Sequence, residues 1–256
     1  MDISAYCSDR NIECMARFKN IVRDFLKASP AGRFLYPALQ KCWRSYDRPR
    51  LRRRLRKFGS QALSRMHSIM VSNGIEYYCD YGTLMGFVRE GDFIKHDDDI
   101  DISIRPGSAK AVDVLKVFLD AGYGYIHAFE YNGELMEFTV ADLTGIPIDV
   151  FFPKAVSAGK IHGYQSVWSP DFKYPDEVSN TLIEYDFVEA ADVHSITVAG
   201  TEVLVPGNYD EVLTSEYGSW RVPNSKFDTV TDRVHRQMPG FSRTVQRHEA
   251  LGEARA

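Results

Sequence analysis

Residues 97–104 read Asp97-Asp98-Asp99-Ile100-Asp101-Ile102-Ser103-Ile104, four aspartates in five positions running into alternating isoleucines. Carboxylates this close repel one another and raise each other's pKa unless a cation or strong donors neutralise them. From Asp99 the pattern has period two. It predicts a strand with Ile100, Ile102 and Ile104 turned into a core and Asp99, Asp101 and Ser103 on the opposite face. Two carboxylates side by side on a rigid strand suit a hard, oxygen-seeking divalent cation, Mg2+ or Mn2+. An acidic turn leading into a strand is the plainer reading of the same residues. The flanking sequence decides between them.

Upstream, Ile75–Tyr81 reads as a strand, and Gly82-Thr83-Leu84-Met85-Gly86-Phe87-Val88-Arg89 as a turn entering a short helix. Such a strand-to-helix turn offers backbone N–H groups, a hydroxyl and a helix dipole to an anion, the ingredients of a phosphate cradle. Arg89, one to two turns further on, is a candidate clamp for a phosphate oxygen. Downstream, Ser108 is expected to cap an amphipathic helix ending at Gly122. Two β-like runs, 123–131 and 134–142, flank Asn132-Gly133, a hairpin signal. The strand Ile146–Phe152 follows and carries Asp149 between Ile148 and Val150. If it neighbours the acidic strand, Asp149 adds a third carboxylate, to complete a metal shell or take a proton. Asp149 as a buried, hydrogen-bonded residue is the alternative.

The rest of the chain sets the frame. Its 256 residues, 44% hydrophobic and 26% charged, suit an ordinary globular protein, and no apolar stretch or leader pattern predicts a membrane span or secretory signal. Cys7, Cys14, Cys42 and Cys79 are scattered without CxxC spacing, which predicts reduced cytoplasmic thiols and no structural zinc. The net charge is −4, yet eight of the 31 basic residues lie between Arg44 and Lys57 against a single acid, Asp47. That run reads as a solvated cationic helix face, as a contact for the inner face of an anionic membrane, or as a nucleic-acid patch. Nucleic acid is not expected, because the body is acidic and no nucleic-acid motif accompanies the run.

Helical spacing is expected over 1–40, broken at Ser29-Pro30-Ala31-Gly32, and again from about Pro49 to Asn73. Residues 154–192 read as aromatic and loop-rich, 195–205 as a hairpin turning at Ala199-Gly200, and 208–218 as a helix. A final helix is expected over 241–254. The division is a helical extension (1–60), a catalytic domain (61–224) and a polar tail (225–256). The fold class expected is α+β, a mixed sheet flanked by helices.

Taken together, Tyr81–Ile94 followed by Asp97-Asp98-Asp99-Ile100-Asp101 resembles the signature of the LicD family, within the polymerase-β-like nucleotidyltransferase superfamily. Pro147–Pro153 is similar to its second motif and Tyr217-Gly218-Ser219-Trp220-Arg221-Val222-Pro223 to its C-terminal one. The resemblance implies a metal-dependent transferase that moves a phospho-alcohol from a CDP-linked donor to a glycan or polysaccharide hydroxyl and releases CMP. It implies Mg2+ or Mn2+ on Asp99, Asp101 and Asp149, with Gly82, Thr83 and Arg89 at the donor phosphates. Lys95-His96 stand where members usually have Pro-Trp, a departure at the lip of the site that bears on donor recognition; His96 as an exposed loop residue is the bland alternative. Two other functions fit the residues. One is a nucleotidyltransferase moving NMP from an NTP to a small phosphorylated or phosphonylated alcohol. The other is a glycan-binding scaffold with a degenerate site. Trp168, Tyr174 and Tyr185 read either as a sugar-stacking platform or as loop packing.

Overall fold

In the computed structural model the described residues are 18–253, apart from 20, 24, 168–178, 225, 228–231, 234 and 235. The acidic run becomes strand β2 (Ile100–Ile104), paired antiparallel with the short β1 (Tyr77–Cys79). As the alternation requires, Ile100, Ile102 and Ile104 are buried. Between these strands the chain makes helix α2 (Tyr81–Glu90), capped by Asp80, whose carboxylate accepts the Tyr81 N–H. After β2, helix α3 (Ala111–Asp120) leads into the hairpin β3 (Gly124–Tyr131) and β4 (Glu134–Ala141). Its turn places Asn132 and Gly133 at positive φ, the demand of a type I′ connection. Strand β5 (Pro147–Phe151) then lies parallel to β2 and antiparallel to β4.

The main sheet has nine strands in the order β1-β2-β5-β4-β3-β11-β8-β7-β6, and a separate hairpin pairs β9 (Val193–Val198) with β10 (Thr201–Pro206). The outer strands are β6 (Lys154–Ser157), β7 (Lys160–Val167), β8 (Ser179–Val188) and β11 (Arg236–Val245). The fold is thus a mixed α/β architecture whose sheet is flanked by helices, as expected. One face of the sheet is covered by α2, α3 and the C-terminal half of the first helix, α1 (Pro30–Ser72). Leu55, Ala62, Leu63, Met66 and Met70 recur at helical spacing and are all buried there. Among the described residues no helix is long and apolar enough to cross a membrane.

Four expectations are corrected. The break at Ser29-Pro30 is observed, but the helix that follows does not wait until about Pro49: Ser29 is the N-cap of one 43-residue helix that runs through Pro37 and Pro49. Each proline removes one ladder bond, and the helix-forming Leu, Arg, Lys, Ala and Gln around them carry the helix through. Ser108 does not cap α3; Lys110 holds the N-cap position, and the Ser108 hydroxyl accepts the Glu76 N–H. Residues 154–192 include three strands, since Tyr164, Tyr185 and Phe187 sit on a pleated surface that suits aromatic side chains. Residues 241–254 contain the second half of β11, inserted between β3 and β8, and only one helical turn, α5 (Arg247–Ala250). The ladder slips between Gln237 and Gly240, where Pro239 has no N–H to give it. Trp168 and Tyr174 lie outside the described residues, whereas Tyr185 is buried and stacked on Phe187.

Candidate active site

The parallel β2–β5 ladder puts Asp101 directly opposite Asp149. Asp99 enters just ahead of β2, and one carboxylate oxygen from each of Asp99, Asp101 and Asp149 lies within 4.8 Å of the others. Burial first, then the Asp149 and Asp97 charges, pushes Asp99 well above the ordinary carboxylate range. Burial, then Asp99 and Asp149, does the same to Asp101. Asp149 is pushed up to about 6, mainly by burial, with the Thr139 hydrogen bond opposing. Three mutually repelling carboxylates on rigid strands, with oxygen donors only, fit a hard divalent cation, whose charge would relieve the repulsion.

Behind the triad lies a relay that the sequence reading missed. The Thr139 hydroxyl donates to Asp149 Oδ1 at 2.6 Å, and His127 Nε2 lies 2.9 Å from the same hydroxyl. Since the single hydroxyl proton goes to Asp149, His127 must donate through Nε2–H. Burial, aided by Arg23, pushes His127 down to about 4, so the ring is neutral and keeps that tautomer. Glu137, two residues before Thr139 on the same face of β4, is a fourth carboxyl, raised well above its ordinary range by burial and then by Asp149. The alternation Met136, Phe138, Val140 into the core was the available signal for Glu137 and Thr139.

The helix end is built tightly against this cluster. Gly82 and Thr83 occupy the first turn of α2, where N–H groups have no intrahelical partner. A Cβ on Gly82 would lie 3.1 and 3.2 Å from the Asp97 carboxylate oxygens and 3.5 Å from Asp101 Oδ2. Thr83 is fully buried, and its hydroxyl accepts the Asp101 N–H at 2.9 Å, locking α2 to β2. Arg89 stands at the far end of α2, where it donates to the Trp220 carbonyl at 3.0 Å and to Glu90 at 2.7 Å. Its buried Nε has no partner, and its charge lowers Asp97. Asp97 itself is pushed up to about 7 by burial, then by Asp98 and Glu90, and its Oδ2 is likewise unpartnered. Lys95 and His96 are exposed on the loop before the aspartates. That loop is held from α1: Arg52 Nε donates to the His96 carbonyl at 2.9 Å, and Arg48 pairs with Asp98 at 3.4 Å.

Beneath the helix end, Asp80 accepts from Ser103 Oγ at 2.5 Å and shares a hydrogen bond with Glu216 of α4 (Tyr209–Tyr217). Burial, then the Asp80 charge, pushes Glu216 well above the ordinary carboxylate range. Gly218 ends α4, and Trp220 packs back on it, its Nε1 donating to Asp210. His162, clasped between Glu184 and Asp186, and His194, beside Asp192, stand apart from the aspartates as hydrogen-bonded sheet residues.

The sequence profile of the LicD/FKTN/FKRP nucleotidyltransferase domain matches residues 74–208, which include β1, α2, the acidic strand and β5. An uncharacterised protein of Caenorhabditis elegans, W02B3.4, is 30% identical over 178 residues, 63% of this chain and 44% of its own length. Human ribitol-5-phosphate transferase FKTN is 25% identical over 175 residues, 68% of this chain and 35% of its own. The chain therefore spans less than half the length of these relatives. A crystal structure of the lincosamide antibiotic adenylyltransferase LnuA with lincomycin bound covers 58% of this chain and 80% of its own, at 14% identity and a TM-score of 0.35, a likeness too weak to bear on the fold. With its profile match spanning more than half of the sequence, Asp99, Asp101 and Asp149 included, the chain belongs to the LicD/FKTN/FKRP family.

Proposed function

We propose that this protein is a metal-dependent transferase that moves a phospho-alcohol, of the phosphocholine, phosphoribitol or phosphoglycerol type, from a CDP-linked donor to a glycan hydroxyl. The observation that carries the reading is the convergence of Asp99, Asp101 and Asp149 on one point of a rigid parallel ladder. The similarity to a ribitol-5-phosphate transferase supports the class of group transferred.

In this reading Asp99 and Asp101 hold Mg2+ or Mn2+, which when bound supplies positive charge to the donor phosphates. Asp149, with one oxygen fixed by Thr139, has the raised basicity suited to taking the proton of the acceptor hydroxyl. The hydroxyl oxygen forms a bond to the β-phosphorus, the bridging oxygen–phosphorus bond breaks, and its electron pair leaves with CMP. The α2 N-terminus at Gly82-Thr83 offers N–H groups to donor phosphate, and the unpartnered Arg89 Nε offers a further donor. Lys95 and His96 line the lip on the donor side.

A panel of CDP-alcohols and CTP, incubated with Mn2+ and cell-envelope glycans, tests the reading. CMP release coupled to a mass gain on the glycan is expected. Pyrophosphate release from CTP with a phosphorylated alcohol would assign NMP transfer instead.

A further inference from the structure

Helix α1 carries more than its buried C-terminal half requires. Along it Leu35, Cys42, Tyr46 and Arg53, spaced 7, 4 and 7 residues apart, fall on one helical line and are all exposed. Phe34 beside them is 82% exposed. The helical residues ahead of α1 repeat the pattern: Phe18, Ile21 and Phe25 lie at i, i+3 and i+7, all exposed, with Phe25 at 77%. This segment runs back along α1, tied to it by the Lys19–Asp47 ion pair and by Lys19 over the Trp43 ring. Large apolar side chains gathered at this exposure mark a surface built for contact.

The same face turns cationic towards the C-terminus of α1. Arg50, Arg53, Arg56 and Lys57 are exposed, and Lys41, Arg48 and Arg52 line an open groove of about 590 Å3 on the helix. Exposed phenyl and leucyl groups graded into a basic stripe have one physical complement in charge and polarity together, an acyl interior beneath anionic headgroups. A soluble polyanion would satisfy the arginines and leave Phe25 and Phe34 in water.

We infer that the exposed face of α1 and the segment before it form a peripheral docking surface for an anionic lipid bilayer. Phe25, Phe34 and Leu35 enter the headgroup boundary, and Arg50, Arg53, Arg56 and Lys57 face the lipid charge. Because Arg48 and Arg52 also hold the loop carrying His96 and Asp98, the docked face adjoins the mouth of the aspartate site. The inference does not depend on the reaction assigned above, and the test is run in parallel on an Asp99→Asn variant, which lacks a working site.

The test is co-sedimentation with phosphatidylcholine vesicles, alone or with about 30% phosphatidylglycerol, at about 0.1 M salt. Binding is expected only with phosphatidylglycerol, weakening as salt rises. Arg53→Glu with Arg56→Glu should lower partitioning roughly tenfold, and Phe34→Ser with Leu35→Ser by a comparable factor. Circular dichroism checks that each variant is folded; all four positions are exposed, so the core is untouched. Three results overturn the inference. One is no sedimentation with the anionic vesicles. Another is binding that depends on the arginines but not on Phe34 and Leu35, with equal retention on heparin, which assigns a soluble polyanion. The last is self-association in sedimentation velocity that Phe34→Ser abolishes while vesicles bind nothing, which assigns the face to a second copy.

Discussion

Asp101 and Asp149 are direct register partners on neighbouring parallel strands, so two carboxylates from distant parts of the sequence share one face at one level of the sheet. Neither can move away without breaking the ladder, and Thr83 and Thr139 hold the two ends in place. The cluster is therefore electrostatically costly by construction in the metal-free protein. Activity and stability are set against each other at these positions.

That opposition gives the first prediction. Asp99→Asn and Asp101→Asn each remove a buried like charge while keeping the shape. Turnover should fall by roughly 1000-fold or more, while the metal-free protein gains about 1 kcal/mol, or roughly 2–4 °C in Tm. CMP-release kinetics and thermal unfolding in chelator check the two halves. A variant that keeps near-normal activity would sink the assignment of these residues to the metal.

The pH dependence follows from the same repulsion. Unfolded aspartates titrate near 3.9. In the fold, Asp149 is pushed up to about 6 and Asp97 to about 7, and Asp99 and Asp101 are raised well above their ordinary range. From about pH 4 upward through these values the folded state holds more protons than the unfolded one, so metal-free stability falls as pH rises. Cation binding displaces the protons, so Mn2+ affinity should rise steeply between about pH 5.5 and 7.5. Calorimetric titration in buffers of different ionisation enthalpy measures the proton release, and affinity that is flat with pH would contradict it.

How much of this was legible in the sequence depends on which distances are local. The β2 face, the α2 turn and the two hairpins follow from alternation and turn residues within a few positions. The pairing of β2 with β5 is a register between segments some fifty residues apart, and no local pattern specifies it. Asp149 was therefore a candidate on its strand before the ladder showed its partner. Glu137 and Thr139 lay on a readable alternation, but without the neighbour order β5-β4-β3 nothing tied them or His127 to the aspartates. The long α1 was hidden by the basic stretch ahead of Pro49, which carries little apolar spacing, and β11 by a polar tail whose strand is completed by partners on both sides.

Thr139→Val tests the relay. The substitution removes the hydrogen bond to Asp149 Oδ1 and leaves His127 Nε2–H unpartnered in a buried place. A loss of roughly 10–100-fold in kcat or metal affinity is expected, as for other groups that orient a ligating carboxylate. Thr139→Ser keeps the hydroxyl and should recover most of it. Equal loss in both variants would reduce Thr139 to a packing role.

Glu216→Gln separates the buried carboxyl pair from the metal site. Glu216 is raised well above the ordinary carboxylate range by burial and the Asp80 charge, and it shares a hydrogen bond with Asp80, which caps α2. A glutamine amide keeps the donor and the shape, so below about pH 4, where a glutamate is protonated both folded and unfolded, the variant should match the parent within about 0.5 kcal/mol. As pH rises from about 4 towards the raised Glu216 pKa, the unfolded parent releases a proton that the fold retains beside Asp80, and stability drops. The glutamine variant has no proton to lose and should overtake the parent in Tm from about pH 5 upward. Urea unfolding across a pH series measures the crossing. Parallel curves for the two proteins would mean that Glu216 is ionised in the fold, and the Asp80 cap on α2 would then need a counter-charge, with Arg233, packed over Tyr81 and Tyr217, a candidate.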